Sequence, residues 1–196
     1  MIELDGPGVT IADVVAVARD DERVELTEDA FARMAASRDI VERLAEGAPV
    51  YGISTGFGAL ATVSIPPERR RALQLALVRS HAAGMGDPVE REVVRAMTFL
   101  RARTLSLGNS GARPIVAQGM VDLLNADITP VVPEYGSLGA SGDLAPLAHG
   151  ALALLGEGEV DHAGTRRPAT EALRDAGIAP IELAEKEGLA AVSYTH

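Results

Sequence analysis

Apolar residues recur at helical spacing over most of the chain. Ile11, Val14, Val15 and Ala18 predict a helix over 11–19, with Thr10 as its N-cap. Thr27, followed by Glu28 and Asp29, caps a second helix that ends near Gly47. Its apolar side is expected to be Phe31, Met34, Ala35, Ile40, Val41 and Leu44. A third opens at Glu68, runs through Leu73, Leu77 and Val78 to His81, and is ended by 82–86. Pro88 fits the first position of a fourth, patterned by Val89, Val93, Ala96, Met97, Leu100 and Leu107 down to Gly108. Pro114 can start a fifth, with Ile115, Met120, Val121, Leu123 and Leu124. A sixth carries the apolar run from Leu144 to Leu155, and a short one covers about 169–176.

Elsewhere the pattern changes. Residues 1–10 read as an extended lead-in, and 128–133 as a short extended segment pinned by prolines. Residues 158–160 and 166–168 flank Ala163 and Gly164 as a small hairpin. A polar-to-apolar segment from Ile181 closes the chain. With no internal repeat and no linker, residues 1–196 read as one mainly α domain with a few short strands.

Composition supports this. Hydrophobic residues make up 47% but aromatics only 3%, so the core is aliphatic, which favours helices over a β-sandwich. The net charge of −10 and the lack of a basic run argue against nucleic acid or an anionic membrane as partner. Without cysteine, disulfides, thiolate metal sites and a thiol nucleophile are excluded. His81, His149, His162 and His196 lack metal-ligand spacing, so no metal is expected. No secretory signal is visible and no apolar run approaches a membrane span; a soluble cytoplasmic protein is the expectation.

Two stretches stand apart. Residues 48–58 hold Tyr51, Phe57 and three glycines with neither helical nor strand period, and 59–67 also read as loop; irregular stretches of this length are usually functional or mobile. The other is Gly136-Ser-Leu-Gly-Ala-Ser-Gly-Asp-Leu-Ala-Pro-Leu-Ala-His149. Gly136 and Gly139 are placed to reach positive φ just ahead of Ala140-Ser141-Gly142. Asp143 stands where a helix-capping acid would stand. Locally this is equally a tight small-residue turn. Neither 108–112 nor 139–143 is a nucleophile elbow, since each lacks the closing glycine of G-x-S-x-G. The run from Gly52 to Gly58 is no phosphate loop, because no Gly-Lys-Ser/Thr follows.

Tyr51-Gly-Ile-Ser-Thr-Gly-Phe-Gly58, Arg79-Ser-His-Ala-Ala-Gly84 and the 136–147 motif, in this order, resemble the aromatic amino acid ammonia-lyase and aminomutase family, its histidine branch most closely. The resemblance spans essentially residues 1–190. It implies the helical N-terminal domain of the ammonia-lyase (fumarase/aspartase-like) fold and a cofactor made from the chain itself. Ala140-Ser141-Gly142 would cyclise, the Gly142 nitrogen attacking the Ala140 carbonyl with loss of two waters, to give methylidene-imidazolone (MIO). Gly142 permits close approach and Ser141 supplies the hydroxyl lost to form an electrophilic alkene.

By the same resemblance Tyr51 is the base that takes the β-proton of the amino acid substrate. A phenol ionises near pH ~10, so a phenolate base needs local donors. His81 would face the substrate side chain and help select it. Asp143 either orients the cyclising loop or caps the next helix. Ser193 stands where the family carries an MIO-supporting Asn, and Tyr194 where it carries Gly; serine lacks the two-ended hydrogen bonding of an amide. Arg113 and Gln74 are assigned no role.

The family implies a homotetramer whose active sites draw on three chains, and this chain matches only its N-terminal portion. The expectation is the N-terminal part of a histidine ammonia-lyase, truncated and poorly active or inactive alone. The alternatives are a tyrosine ammonia-lyase or 2,3-aminomutase, and a non-catalytic helical remnant that self-associates.

Overall fold

The computed structural model describes residues 1–139 and 143–193. Two short strands, β1 (Ile2–Leu4) and β2 (Val24–Leu26), pair in parallel with Ile2 opposite Val24. The crossover between them is helix α1 (Ile11–Arg19), entered through a full capping box. Thr10 accepts from the Asp13 backbone, and the Asp13 carboxylate accepts from the Thr10 backbone. Residues 1–10 are therefore more than a lead-in: their first strand is paired.

Helix α2 (Glu28–Ala45) begins at the expected cap, Thr27, whose hydroxyl accepts from the Ala30 backbone. Its buried face differs from the expected one. Ala30, Met34, Arg38 and Val41 are buried, whereas Phe31, Ile40 and Leu44 are exposed. Helix α3 (Pro67–His81) is followed at once by strand β3 (Met85–Pro88), so Pro88 ends a strand and does not open a helix. The Val89 nitrogen donates to the Val132 carbonyl at 2.8 Å, which holds the backbone extended up to Arg91. Helix α4 (Arg91–Ser106) then buries Val94, Thr98, Phe99, Ala102 and Leu105 together with Arg95 and Arg101. The predicted stripe, Val93 and Leu100, is shifted by one residue and lies exposed.

Helix α5 (Pro114–Asn125) leads into β4 (Ile128–Pro130) and β5 (Pro133–Tyr135), then α6 (Leu144–Leu154). The expected hairpin is β6 (Glu159–His162) and β7 (Thr165–Pro168), with β4 added to its edge in the order β4-β6-β7. Helices α7 (Ala169–Ala176) and α8 (Glu187–Val192) complete the described chain. Among the described residues no helix is long and apolar enough to cross a membrane.

Two aliphatic clusters hold these elements. The larger joins α1, α2, α4, α5 and α7 around Leu4, Met34, Phe99, Val116 and Leu173. The smaller joins α3, α6 and α8 around Leu77, Val78, Ala148, Leu189 and Val192, with Phe57, Leu144 and Leu147 at its edge. Burial of an aliphatic side chain of this size contributes roughly 1.5–3 kcal/mol. The smaller cluster gathers all three unusual sequence motifs.

Candidate functional site

The loop before α6 is built first by strand pairing. Strand β3 runs antiparallel to β5, with Met85 opposite Tyr135, so the segment just after His81 is tied to the segment just before Gly136. Gly136 is not at positive φ, contrary to the expectation; Gly139, at φ +61°, is. Gly136 is needed for close approach instead. A Cβ there would stand 3.1 Å from the Gly84 Cα and 3.2 Å from the Ala145 Cβ. The Gly84 nitrogen in turn donates to His149 Nε2 at 3.1 Å. His149 is therefore the Nδ1–H tautomer when neutral, and burial pushes its pKa down.

Asp143 is the N-cap residue of α6 by position, yet its side chain makes no bond to the helix. It reaches back. One carboxylate oxygen accepts from the Leu138 nitrogen at 3.0 Å and the other from the Ser137 hydroxyl, which also accepts from the Gly139 nitrogen at 3.2 Å. Its carboxylate is thus bonded to the loop before the tripeptide and not to the helix. Ala140, Ser141 and Gly142 themselves lie outside the described residues. On one side of them stands the left-handed Gly139, and on the other the Asp143 carboxylate bonded back to 137–138.

His81 ends α3. Its Nδ1 lies 2.8 Å from the Leu77 carbonyl and 3.1 Å from the Ser80 hydroxyl. A carbonyl only accepts, so Nδ1 carries a proton and Nε2 is the nitrogen left to present outward in the neutral ring. Tyr51 sits in the first turn of the loop after α2. Its hydroxyl accepts from the Gly58 nitrogen at 3.3 Å, and its ring meets Phe57 edge-on, with centroids 6.2 Å apart. The loop is pinned by Ser54, which accepts from the Val50 nitrogen at 2.9 Å, and by a bridge between Thr55 and Ser64. Ser193 ends α8: its nitrogen donates to the Leu189 carbonyl at 2.8 Å, and its own carbonyl accepts from Arg101.

These residues share a neighbourhood rather than one described cavity. Phe57 brings the Tyr51 loop onto the cluster that α3, α6 and α8 form. Tyr51 itself lines a cavity of about 740 Å³ between α2 and the 107–111 turn, with Ile40, Val41 and Lys186. Asp143 lines another, of about 450 Å³, between α4 and the start of α6.

Sequence reasoning missed the polar groups that hold α8. Glu187 is fully buried and accepts from the Arg113 nitrogen (2.9 Å), Arg113 Nε (2.7 Å) and Nη2 (2.8 Å), and the Ala184 nitrogen (2.6 Å). This bonding pushes the Arg113 pKa further up. Gln74 accepts from the Leu189 nitrogen at 3.2 Å, and Lys186 donates to the Ser110 carbonyl at 2.6 Å. Burial, with Arg38 nearby, pushes the Lys186 pKa down. No local signal marks these groups: apolar spacing puts Val93 and Leu100 of α4 inward, whereas Arg95 and Arg101 fall on its buried stripe.

Residues 9–196 match the aromatic amino acid lyase family. The chain belongs to this family. It is similar to the histidine ammonia-lyase of Streptomyces coelicolor, 62% identical over 190 residues, covering 96% of this chain and 37% of that protein. The histidine ammonia-lyase of Geobacillus thermodenitrificans is 50% identical over 196 residues, covering 100% and 39%. Among solved structures, tyrosine aminomutase from Streptomyces globisporus superposes with a TM-score of 0.91 at 39% identity, covering 97% of this chain and 36% of that one. Histidine ammonia-lyase from Trypanosoma cruzi does so at 0.88 and 37%, covering 97% and 37%. The helical architecture is thus that of the ammonia-lyases and aminomutases, and the chain spans well under half the length of these relatives.

Proposed function

We propose that the chain is the N-terminal part of a histidine ammonia-lyase, which converts L-histidine to trans-urocanate and ammonia. The 62% identity to the Streptomyces coelicolor enzyme carries this reading, with the three motifs on one cluster as its structural support. Ala140, Ser141 and Gly142 are the precursor of MIO, which would supply the electrophile that ordinary side chains lack. The chain's other residues then have separable tasks. Tyr51 takes the β-proton, its oxygen accepting a hydrogen bond from the Gly58 N–H. His81 offers Nε2 toward the substrate side chain while its Nδ1 is held by the α3 carbonyl. Asp143 fixes the loop N-terminal to the tripeptide, and Ser193 supports it from the end of α8. Homo-oligomerisation belongs to this proposal, as does a cytoplasmic location.

The likeness to tyrosine aminomutase makes tyrosine the second substrate to test. A chimera that continues this chain with the remaining length of the Streptomyces coelicolor relative is incubated with each amino acid. Urocanate absorbance from histidine supports the proposal. Coumarate or β-tyrosine from tyrosine, with no urocanate, replaces it with the second reading. A folded chimera silent toward both contradicts it.

A further inference from the structure

Helix α8 has only six residues, all buried, and so cannot be stable through its own hydrogen bonds. Its last turn is bonded by a side chain from another helix. Arg101 of α4, 4% exposed, donates through Nε to the Ala191 carbonyl at 3.1 Å and through Nη2 to the carbonyls of Ala190 and Ser193. These are carbonyls of the last turn, where a helix has no acceptors' partners of its own and where a cation is favoured by the backbone dipoles. The hydrogen bonds are charge-assisted, and those to Ala190 and Ala191 are buried.

Arg101 also touches the other side. It lines the 450 Å³ cavity together with Asp143, Pro146 and Leu147, the residues that open α6 directly after the tripeptide. It also lines a void of only about 10 Å³ with Leu147, Ala151 and Ala191. Arg101 thus binds the end of α8 and lines the spaces beside the start of α6.

We infer that Arg101 is a positioning residue for the tripeptide chemistry, coupling the α8 carbonyls that set Ser193 to the Asp143 end of the loop. The inference rests on the proposed function for its chemical consequence, but the coupling stands on geometry alone. Removing the fork frees two segments at once, and dehydration of residues 140–142 becomes slow or incomplete in a chain that is still folded.

The test compares the 196-residue chain with Arg101→Met and Arg101→Lys, by hydrogen exchange and by intact mass. Exchange is expected to rise about tenfold in peptides over 187–193 and also over 143–147, with β4-β6-β7 unchanged. Arg101→Lys, which keeps charge but not the fork, is expected to fall between. If Arg101→Met unfolds throughout, the same two-segment comparison is read from Arg101→Lys. Acceleration confined to 187–193 overturns the inference. So does dehydration as complete in the folded variants as in the parent chain. Should the parent itself keep its unmodified mass, the assignment of residues 140–142 as a cofactor precursor in this chain falls, while exchange still decides whether Arg101 couples the two segments.

Discussion

Tyr51, proposed as the base, is held in part by local contacts. Its oxygen has the Gly58 N–H 3.3 Å away, and its ring leans on Phe57. Tyr51→Phe keeps the ring contact and removes the phenolic oxygen. In the active chimera this is expected to lower kcat by about 10²–10⁴-fold with little change in KM, measured by steady-state kinetics. Loss of KM alone would assign Tyr51 to binding. Glu187 belongs to the opposite class, since all its partners are structural. Glu187→Ala leaves the Ala184 N–H and the half-exposed Arg113 without their acceptor and is expected to cost about 2–3 kcal/mol in urea unfolding. The 48–58 segment stands out in the sequence by its glycines and lack of period, and only the family resemblance singles out Tyr51 within it. Glu187 does not stand out, because nothing local distinguishes a buried carboxylate from a solvated one until Arg113 arrives from 74 residues away.

The helices were legible where their ends carry chemistry. Thr10 and Thr27 cap α1 and α2 as expected, and each Thr→Ala change is predicted to lower stability by about 1 kcal/mol in thermal or urea unfolding. Helix phases were less legible. In α2 and α4 the buried stripe includes Arg38, Arg95 and Arg101, which an apolar count assigns to solvent. Arg95 spends its guanidinium on the Val17 and Leu124 carbonyls, so the buried charge is bonded and the stripe shifts to include it. The pairing of β1 with β2 was invisible because three-residue strands have too little period to read. Pro88 misled because a proline suits a strand end as well as a helix start. Helix α8 escaped notice because its stability comes from Gln74, Arg101, Arg113 and Lys186 rather than from its own six residues.

Over the whole molecule, charge and exposed apolar surface make two further demands. His149 is half-buried with Nε2 accepting from the Gly84 nitrogen, and its folded-state pKa lies below the ordinary 6.5. Between those values the unfolded chain binds more protons than the folded one, so stability rises with pH in that window. Acidification from neutrality through about pH 6.5 is therefore expected to lower the melting temperature, and His149→Gln, which keeps an acceptor, is expected to flatten that part of the profile. The exposed Phe31, Ile40 and Leu44 on α2, with Val93 and Leu100 on α4, form apolar faces that favour self-association. Light scattering should find species larger than a monomer.

The decisive question is whether Ala140-Ser141-Gly142 becomes an electrophile, and the intact mass of the purified 196-residue chain answers it directly. Loss of two waters, about 36 Da below the sequence mass, is the predicted result. An unmodified mass in a folded chain would contradict the assignment of these residues as a cofactor precursor in this protein.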